Sequence, residues 1–105
     1  QDLAKIRLAQ LLIDSGEYGE ARQTIAAMAE DTGNPYTKSA QELMGLAAYA
    51  AGDMEEAHGW FRDLRDVAGT PPQVQGRARF MLDLIKQTSG VGAETTRVTA
   101  AEETN

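Results

Sequence analysis

The sequence predicts an all-α fold in which antiparallel helix hairpins stack as a solenoid, with two repeats and a C-terminal capping helix. Apolar residues recur at three- and four-residue spacing, and no alternating stretch is long enough for a strand. The phrase GEYGEA at residues 16–21 returns as GDMEEA at residues 52–57, which is 36 residues later. Repetition of this length is typical of helix hairpins that bury their apolar faces by stacking. The 105 residues allow one domain with a modest core.

Five helices are expected from this periodicity, at about residues 2–14, 18–30, 35–51, 54–67 and 72–88. They form one helical domain over residues 1–88, made of a first repeat, a second repeat and the capping helix, at about residues 2–35, 36–71 and 72–88. Residues 89–105 are rich in Thr, Ala and Glu and have few apolar anchors. We therefore expect them to form a flexible C-terminal tail.

Local signals justify the ends of the first four helices. Gly16 and Gly52 follow the first and third helices, where a left-handed backbone is easy only for glycine. Asn34 is expected to cap the third helix, with Pro35 at its first helical position. Asp53 is expected to cap the fourth helix.

The two terminal helices differ in how their polar residues are arranged. Thr70 is the expected cap of the fifth helix, whose broad polar face suits a terminal helix and consists of Gln75, Arg79, Asp83 and Lys86. The first helix has apolar residues around most of its circumference, which predicts burial on most sides. Since the chain starts at Gln1 without an initiator methionine, we expect either a fragment whose missing helices cover this surface or a chain that self-associates through it.

A shift of 36 residues brings together the positions that are expected to pack the hairpins. The pairs are Leu8 with Met44, Ala9 with Gly45, Gly16 with Gly52, Tyr18 with Met54, Ala21 with Ala57, and Ile25 with Phe61. The small members are placed where helices cross, because larger side chains would push the helix axes beyond about 8–10 Å. A second shift of 36 residues places Phe80 at the position of Met44 and Leu84 at that of Ala48.

These residues resemble the tetratricopeptide repeat family over residues 2–71. The family pattern of a large residue and then glycine or alanine on the first helix is met by Leu8-Ala9 and Met44-Gly45. Its turn and second helix are matched by Gly16-x-Tyr18-x-x-Ala21-x-x-x-Ile25 and Gly52-x-Met54-x-x-Ala57-x-x-x-Phe61. The resemblance implies a right-handed solenoid that binds proteins.

Two longer stretches are similar to a narrower group. GNPYTKSAQELMGLAAYAAGDMEEAHGWFRDL at residues 33–64 and TPPQVQGRARFMLDLI at residues 70–85 resemble the C-terminal part of certain bacterial inner-membrane proteins. Those proteins have one N-terminal membrane helix and a periplasmic tetratricopeptide-like domain, and some assist the Sec translocon or periplasmic chaperones. The resemblance implies attachment to the inner membrane on the periplasmic side, through a segment upstream of Gln1, with a cytoplasmic location as the alternative.

The family resemblance also implies a concave groove lined by the first helix of each pair. Carried over by position, the groove would consist of Ile6, Gln10, Ile13, Glu42, Leu46, Tyr49, Leu82, Ile85 and Lys86. An apolar groove with a polar edge suits an apolar peptide or helix of a protein partner. The alternatives are that upstream repeats, a second copy or the tail cover these side chains. The second functional hypothesis is a structural module that forms homo-oligomers through the apolar first helix.

Charge and composition argue against several classes of function. The net charge of −6 opposes binding to a phosphate backbone, so no nucleic-acid partner is expected. His58 is the one histidine, and it is expected on the solvent side of its helix without an orienting partner. With no cysteine and no converging ligands, we expect no catalytic residue, metal, cofactor or small-molecule substrate. Trp60 is expected to be a half-buried packing residue, with an anchor for a partner as the alternative.

Some tetratricopeptide domains grip the C-terminal carboxylate of a chaperone with a cluster of basic and amide side chains. The corresponding positions in this sequence are Ile6, Gln10, Leu43, Gln75 and Arg79. Since Arg79 alone carries a positive charge, the sequence argues against this mode of binding.

Overall fold

The computed structural model describes residues 1–92, which contain five α-helices and no strand. The helices are α1 at Asp2–Asp14, α2 at Tyr18–Glu30, α3 at Thr37–Ala50, α4 at Met54–Asp66 and α5 at Pro72–Ser89. The prediction of an all-α helical-repeat fold is confirmed. The division into repeats at residues 35/36 and 71/72 stays a prediction.

The turns within the two hairpins share one geometry, and each depends on a glycine. Gly16 has a φ angle of +85° and Gly52 one of +84°, so both occupy the left-handed region as predicted. In the first turn, the amide of Gly16 donates to the carbonyl of Ile13, and the amide of Glu17 donates to that of Leu12. The second turn repeats both bonds 36 residues later. These paired bonds satisfy the carbonyls at the helix end and reverse the chain.

The predicted start of α3 is wrong. The side-chain oxygen of Asn34 accepts a hydrogen bond of 2.7 Å from the backbone amide of Tyr36, which forms a turn instead of a helix cap. The hydroxyl of Thr37 donates to the carbonyls of Asn34 and Asp31, and Thr37 is buried. The helix therefore begins at Thr37, two residues after Pro35.

The caps of α4 and α5 also differ from expectation. Asp53 directly precedes α4 as predicted, but its side chain makes no capping bond and instead lies 3.6 Å from Arg22. Thr70 does not cap α5, because its hydroxyl donates to the carbonyl of Val67 at 2.9 Å and Pro71 precedes the helix. Pro72 starts α5, since its fixed φ angle suits the first position of a helix.

The odd-numbered helices pack side by side, and each even-numbered helix packs on the two odd-numbered helices that flank it. Thus α2 contacts α1 and α3, α4 contacts α3 and α5, and α3 contacts all four other helices. Arg22 of α2 reaches across to α4, where it pairs with Glu56 at 3.3 Å. Trp60 donates its indole N–H to Glu56 at 3.3 Å, and its half-buried ring packs against the first core. The central helix α3 therefore joins the first hairpin, α1 and α2, to α4 and α5.

Two apolar cores lie on either side of α3. The first is shared by α1, α2 and α3, and contains Ile6, Ala9, Ala21, Ile25, Met28, Ala29, Ala40, Leu43 and Met44. The second is shared by α3, α4 and α5, and contains Ala48, Ala57, Phe61, Leu64, Ala78, Leu82 and Ile85. Leu46 packs against both.

Leu8 was predicted to pack between helices, but its side chain lies outside the core. Its side chain is 47% exposed, whereas its counterpart Met44 is buried. The reason is that Met44 faces the core that α3 shares with α2, while the same face of α1 is uncovered in residues 1–92. Tyr18 and Met54 are half-buried, and the other predicted packing side chains at the crossings are buried.

The position of α5 relative to its neighbours differs from the predicted second shift along the repeat. The buried side chains of α5 are Ala78, Leu82 and Ile85, whereas Phe80 is 66% exposed. Gln75 donates from Nε2 to the carbonyl of Arg65, as Gln41 does to that of Ala29, and Ala29 and Arg65 correspond in the 36-residue repeat. Gln75 therefore takes the position of Gln41, two residues before the place that the repeat predicted. We call this pairing of Gln75 with Gln41 the α5 register.

Residues 89–92 do not form the flexible tail that was predicted from residue 89 onward. Ser89 is the last residue of α5, and Val91 packs against the second core. Gly92 lies so close to His58 that a β-carbon on it would come within 2.9 Å of Nε2. This contact leaves His58 half-buried instead of fully solvated. The rest of the predicted tail, residues 93–105, lies outside the described residues.

Candidate functional site

A cleft of about 280 Å³ opens where the three odd-numbered helices lie side by side. It is lined by Ile6 and Gln10 from α1, by Ser39, Glu42, Leu43 and Leu46 from α3, and by Arg77 from α5. Helical spacing explains the four positions on α3, because residues three and four apart share a face. The floor of the cleft is apolar and its edge is polar.

Four of the nine predicted groove residues line this cleft, namely Ile6, Gln10, Glu42 and Leu46. Ser39 and Leu43 lie one turn earlier on α3 and were missed, although their spacing from Glu42 and Leu46 was a usable signal. Arg77 was also missed, because it corresponds to Leu43, another residue of the cleft, only in the α5 register.

The other five predicted groove residues lie elsewhere. Ile85 is fully buried and Leu82 is buried, both in the second core, so the prediction that they line the groove is wrong. Lys86 is exposed but does not line the cleft. Ile13 and Tyr49 are half-buried and pack against the first and second core, respectively. The α5 register explains the errors on α5, since it puts Gly76 and Phe80 at the positions that Glu42 and Leu46 occupy on α3.

An ion pair spans one edge of the cleft. Arg77 donates from Nε to Oε2 of Glu42 at 2.6 Å and from Nη2 to Oε1 at 2.9 Å. This two-point geometry is among the strongest for an arginine and a carboxylate. The hydrogen bonds to Glu42 raise the pKa of Arg77 above its ordinary value. A ligand that brings its own carboxylate would have to compete with Glu42 for this guanidinium.

Phe80 extends the apolar surface beyond the cleft. It lies three residues after Arg77 on α5, so both side chains project from one side of that helix. At 66% exposed, it is the most exposed large apolar side chain among residues 1–92. An exposed aromatic ring beside a cleft is the kind of group that anchors a partner.

A second two-point ion pair lies at the end of α4, away from the cleft. Arg65 donates to Asp66 at 2.7 Å and 3.0 Å. The hydrogen bonds between the two side chains raise the pKa of Arg65 and lower the pKa of the Asp66 carboxyl. Both groups are close neighbours in sequence and largely exposed, so this pair adds little to a binding surface.

Residues 1–92 contain no group of three or more His, Asp or Glu side chains that could hold a metal ion. None of the five helices combines the length and the apolar character that crossing a membrane requires.

Comparison with known proteins agrees with this architecture. The family model described as a tetratricopeptide repeat-like domain matches residues 1–68, which comprise α1 to α4. Neither a curated protein nor a solved structure matches the chain significantly. Since the matched residues make up more than half of the 105, the chain belongs to the tetratricopeptide repeat-like domain family, whose members generally serve as non-catalytic modules for protein interaction.

Proposed function

We propose that the chain binds an apolar peptide or helix of a protein partner in the cleft between α1, α3 and α5. The observation that supports this most is the cleft itself, with Ile6, Leu43 and Leu46 in its wall and the exposed ring of Phe80 beside it. Shallow apolar grooves on helical scaffolds accept amphipathic helices that insert side chains at positions i, i+3, i+4 and i+7.

The charge of the chain favours a partner segment with basic flanks. The net charge is −6, whereas Glu42 and Arg77 neutralise one another at the cleft edge. The net negative charge of the whole chain attracts basic peptides and repels acidic ones at long range, chiefly through the rate of association. We therefore propose an apolar core with Lys or Arg at its ends as the preferred ligand.

The test uses a fluorescein-labelled helical peptide of about 14 residues, with leucines at positions i, i+3, i+4 and i+7 and lysines at both ends. Binding to the chain is measured by fluorescence anisotropy. Ser39→Trp fills the cleft from an exposed position and is expected to weaken binding about tenfold or more. Phe80→Ala is expected to weaken it by about fivefold, as loss of an aromatic anchor does.

Gln23→Trp provides the matched control, because it adds the same side chain at an exposed position of α2 that does not line the cleft. Circular dichroism establishes that each variant keeps its helices. If Ser39→Trp and Gln23→Trp bind the peptide equally well, the proposal of a binding cleft is wrong.

We also propose that the chain is the interaction domain of a membrane-anchored envelope protein of bacteria that assists a translocon or chaperone complex. The similarity of residues 33–64 and 70–85 to periplasmic proteins of this type supports the idea. The test is protease digestion of the full-length gene product in intact spheroplasts, where a periplasmic domain is expected to be digested. Digestion that occurs only after the spheroplasts are lysed contradicts the periplasmic location.

A structural oligomerisation module is the second candidate function. It is favoured by the exposure of three leucines on one helix, which are Leu3, Leu8 and Leu11. Sedimentation equilibrium of the chain at about 50 μM distinguishes the two functions. A monomer at that concentration contradicts the oligomerisation module and leaves the binding cleft intact.

A further inference from the structure

The four cleft residues of α3 have the spacing with which a helix receives a side chain from another helix. Ser39, Glu42, Leu43 and Leu46 lie at positions i, i+3, i+4 and i+7. Side chains at these positions surround a depression on the helix surface, as in the knobs-into-holes packing of coiled coils. We call these four residues the α3 hole.

Helix α5 carries a second set of residues with the same spacing. In the α5 register the residues of the α3 hole correspond to Gln73, Gly76, Arg77 and Phe80, all of them exposed. We call these four residues the α5 hole. It adjoins the cleft, because Arg77 belongs to both. It also lies outside residues 1–68, the part of the chain that the family model matches.

The absence of a side chain at Gly76 leaves space in the α5 hole. A β-carbon added to Gly76 would meet no atom of residues 1–92 within 4 Å, whereas one added to Gly45 would collide with Phe61. Glycine within an exposed helix makes that helix less stable than alanine would. Since no contact within residues 1–92 requires glycine at position 76, the free space there suits the close approach of a ligand.

Two side chains of different chemistry flank this space. The ring of Phe80 is 66% exposed. Arg77 is held by its hydrogen bonds to Glu42, at 2.6 Å and 2.9 Å, which keep its methylene groups beside the hole. Aromatic rings pack favourably against another ring and against a guanidinium group. The chemistry of the α5 hole therefore favours an aromatic side chain.

The separation of the two holes matches two turns of an α-helix. Helices α3 and α5 contact each other directly, and the axes of helices packed in this way are about 8–10 Å apart. Two turns, or about seven residues, rise about 10 Å. One helix that crosses α3 and α5 can therefore fill both holes with residues about seven positions apart.

We propose that the partner helix in the cleft inserts an aromatic side chain into the α5 hole. An aliphatic side chain about seven residues away along the same helix fills the α3 hole, whose walls include Leu43 and Leu46. This inference rests on the proposed binding of a helix in the cleft. It assigns Gly76 and Phe80 to a second anchoring site and specifies a partner with one aliphatic and one aromatic anchor.

The chain that follows α5 does not supply this aromatic side chain. Residues 93–105 contain no Phe, Tyr or Trp. Val91 packs against the second core, so the chain leaves α5 on the side of that core. Phe80 lies two residues from both Ala78 and Leu82, which belong to the core, and therefore projects from roughly the opposite side of α5.

The first experiment fills the α5 hole and measures binding of the leucine peptide used for the cleft. Gly76→Leu places a side chain in the hole from an exposed position and is expected to weaken binding about fivefold or more. It is not expected to lower the melting temperature, because leucine has the higher helix propensity and its β-carbon meets open space. A glycine with a purely structural role would give the opposite result, a less stable chain.

Gly19→Leu is the matched control. Gly19 is also an exposed helical glycine at which an added β-carbon meets nothing within 4 Å, but it lies on α2, away from both holes. This variant is expected to bind the peptide as the unaltered chain does. If Gly76→Leu also binds equally well while Ser39→Trp weakens binding, the α5 hole is wrong and the cleft stands. A peptide that the unaltered chain does not bind contradicts both.

The second experiment tests the aromatic anchor. Phenylalanine replaces in turn the leucine at position i and the leucine at position i+7 of the peptide. Since the two side chains enter different holes, one replacement is expected to strengthen binding about threefold and the other is not. Gly76→Leu is expected to abolish the gain, which a double-mutant cycle measures. A gain at neither position, or a gain that survives Gly76→Leu, overturns the proposal.

Two outcomes would identify a different occupant of the α5 hole. The first is a dimer of the chain alone, seen by sedimentation equilibrium, that Gly76→Leu dissociates. The second is a full-length gene product that does not bind the peptide although residues 1–105 bind it, since another segment of the same protein would then fill the hole. Either result overturns the choice of a partner helix, whereas a monomer and equal binding by both chains support it.

Discussion

Gly45 of α3 lies directly against the aromatic ring of Phe61 of α4. A β-carbon on Gly45 would lie 2.8 Å from two ring carbons of Phe61, a distance that real β-carbons do not reach. The ring is fully buried and has no free space beside it. In the first repeat the corresponding residues are Ala9 and Ile25. The larger Phe61 is thus paired with glycine, whereas the smaller Ile25 is paired with alanine.

At this scale we predict that Gly45→Ala lowers the free energy of unfolding by about 1–3 kcal/mol, because the ring must leave its position to admit the methyl group. The measurement is urea denaturation followed by circular dichroism. Phe61→Leu in the same chain is expected to recover part of the loss, since it removes the ring atoms that collide.

The matched control is Gly59→Ala on α4, where an added β-carbon meets nothing within 4 Å. This substitution is expected to stabilise the chain by about 0.5–1 kcal/mol through the higher helix propensity of alanine. If Gly45→Ala proves as stable as Gly59→Ala, the tight crossing between α3 and α4 is not what the structure indicates.

Helix α5 was the element whose buried face the sequence predicted least well. Helix α3 begins at Thr37 and α5 at Pro72, and the α5 register pairs Ala78 with Met44 and Leu82 with Ala48, all of them buried. In this register α5 starts within one residue of the corresponding start of α3, because proline favours the first position of a helix. The shift is two residues shorter than the repeat predicts, and the contact of Gln75 with the end of α4 reveals it.

At this scale we predict opposite outcomes for two neighbouring residues of α5. Leu82→Ala is expected to lower the free energy of unfolding by about 2–4 kcal/mol, since it leaves a cavity in the second core. Phe80→Ala is expected to change it by less than about 0.5 kcal/mol, because its ring is mostly in solvent. Thermal or urea denaturation of both variants provides the measurement. A larger loss for Phe80→Ala than for Leu82→Ala would contradict the α5 register.

The molecule as a whole depends on α3, which contacts every other helix and takes part in both cores. Leu46 packs against each core, so the two cores share a side chain as well as helix α3. In contrast, α1 has one side packed and one side exposed. Unfolding of α3 therefore requires both cores to open, while α1 can detach by opening one.

We predict that amide hydrogen exchange is slowest in α3 and markedly faster in α1. The reason is that a helix with more packed neighbours needs more free energy to open, and amides exchange more slowly where opening costs more free energy. Exchange measured by mass spectrometry with peptide resolution tests this. Amides of α1 that exchange as slowly as those of α3 would contradict the picture of one central helix and one peripheral helix.

Much of the fold could be predicted from local signals in the sequence. The helices follow from apolar periodicity, and the turns at Gly16 and Gly52 follow from a backbone angle that favours glycine. The caps at Asn34 and Thr70 were predicted wrongly, because each side chain had a competing turn bond available nearby. A pattern of residue types does not rank such alternatives.

The site was predictable only in part, for a reason that lies in the long-range packing. Repetition along the sequence was enough to identify the family and to place Ile6, Glu42 and Leu46 on one surface. It could not reveal that α5 is offset by two fewer residues, that Arg77 pairs with Glu42, or that one side of α1 is uncovered in residues 1–92. Those features depend on contacts between helices far apart in the chain, and hydrophobic packing, which is not directional, specifies them only once all five helices are assembled.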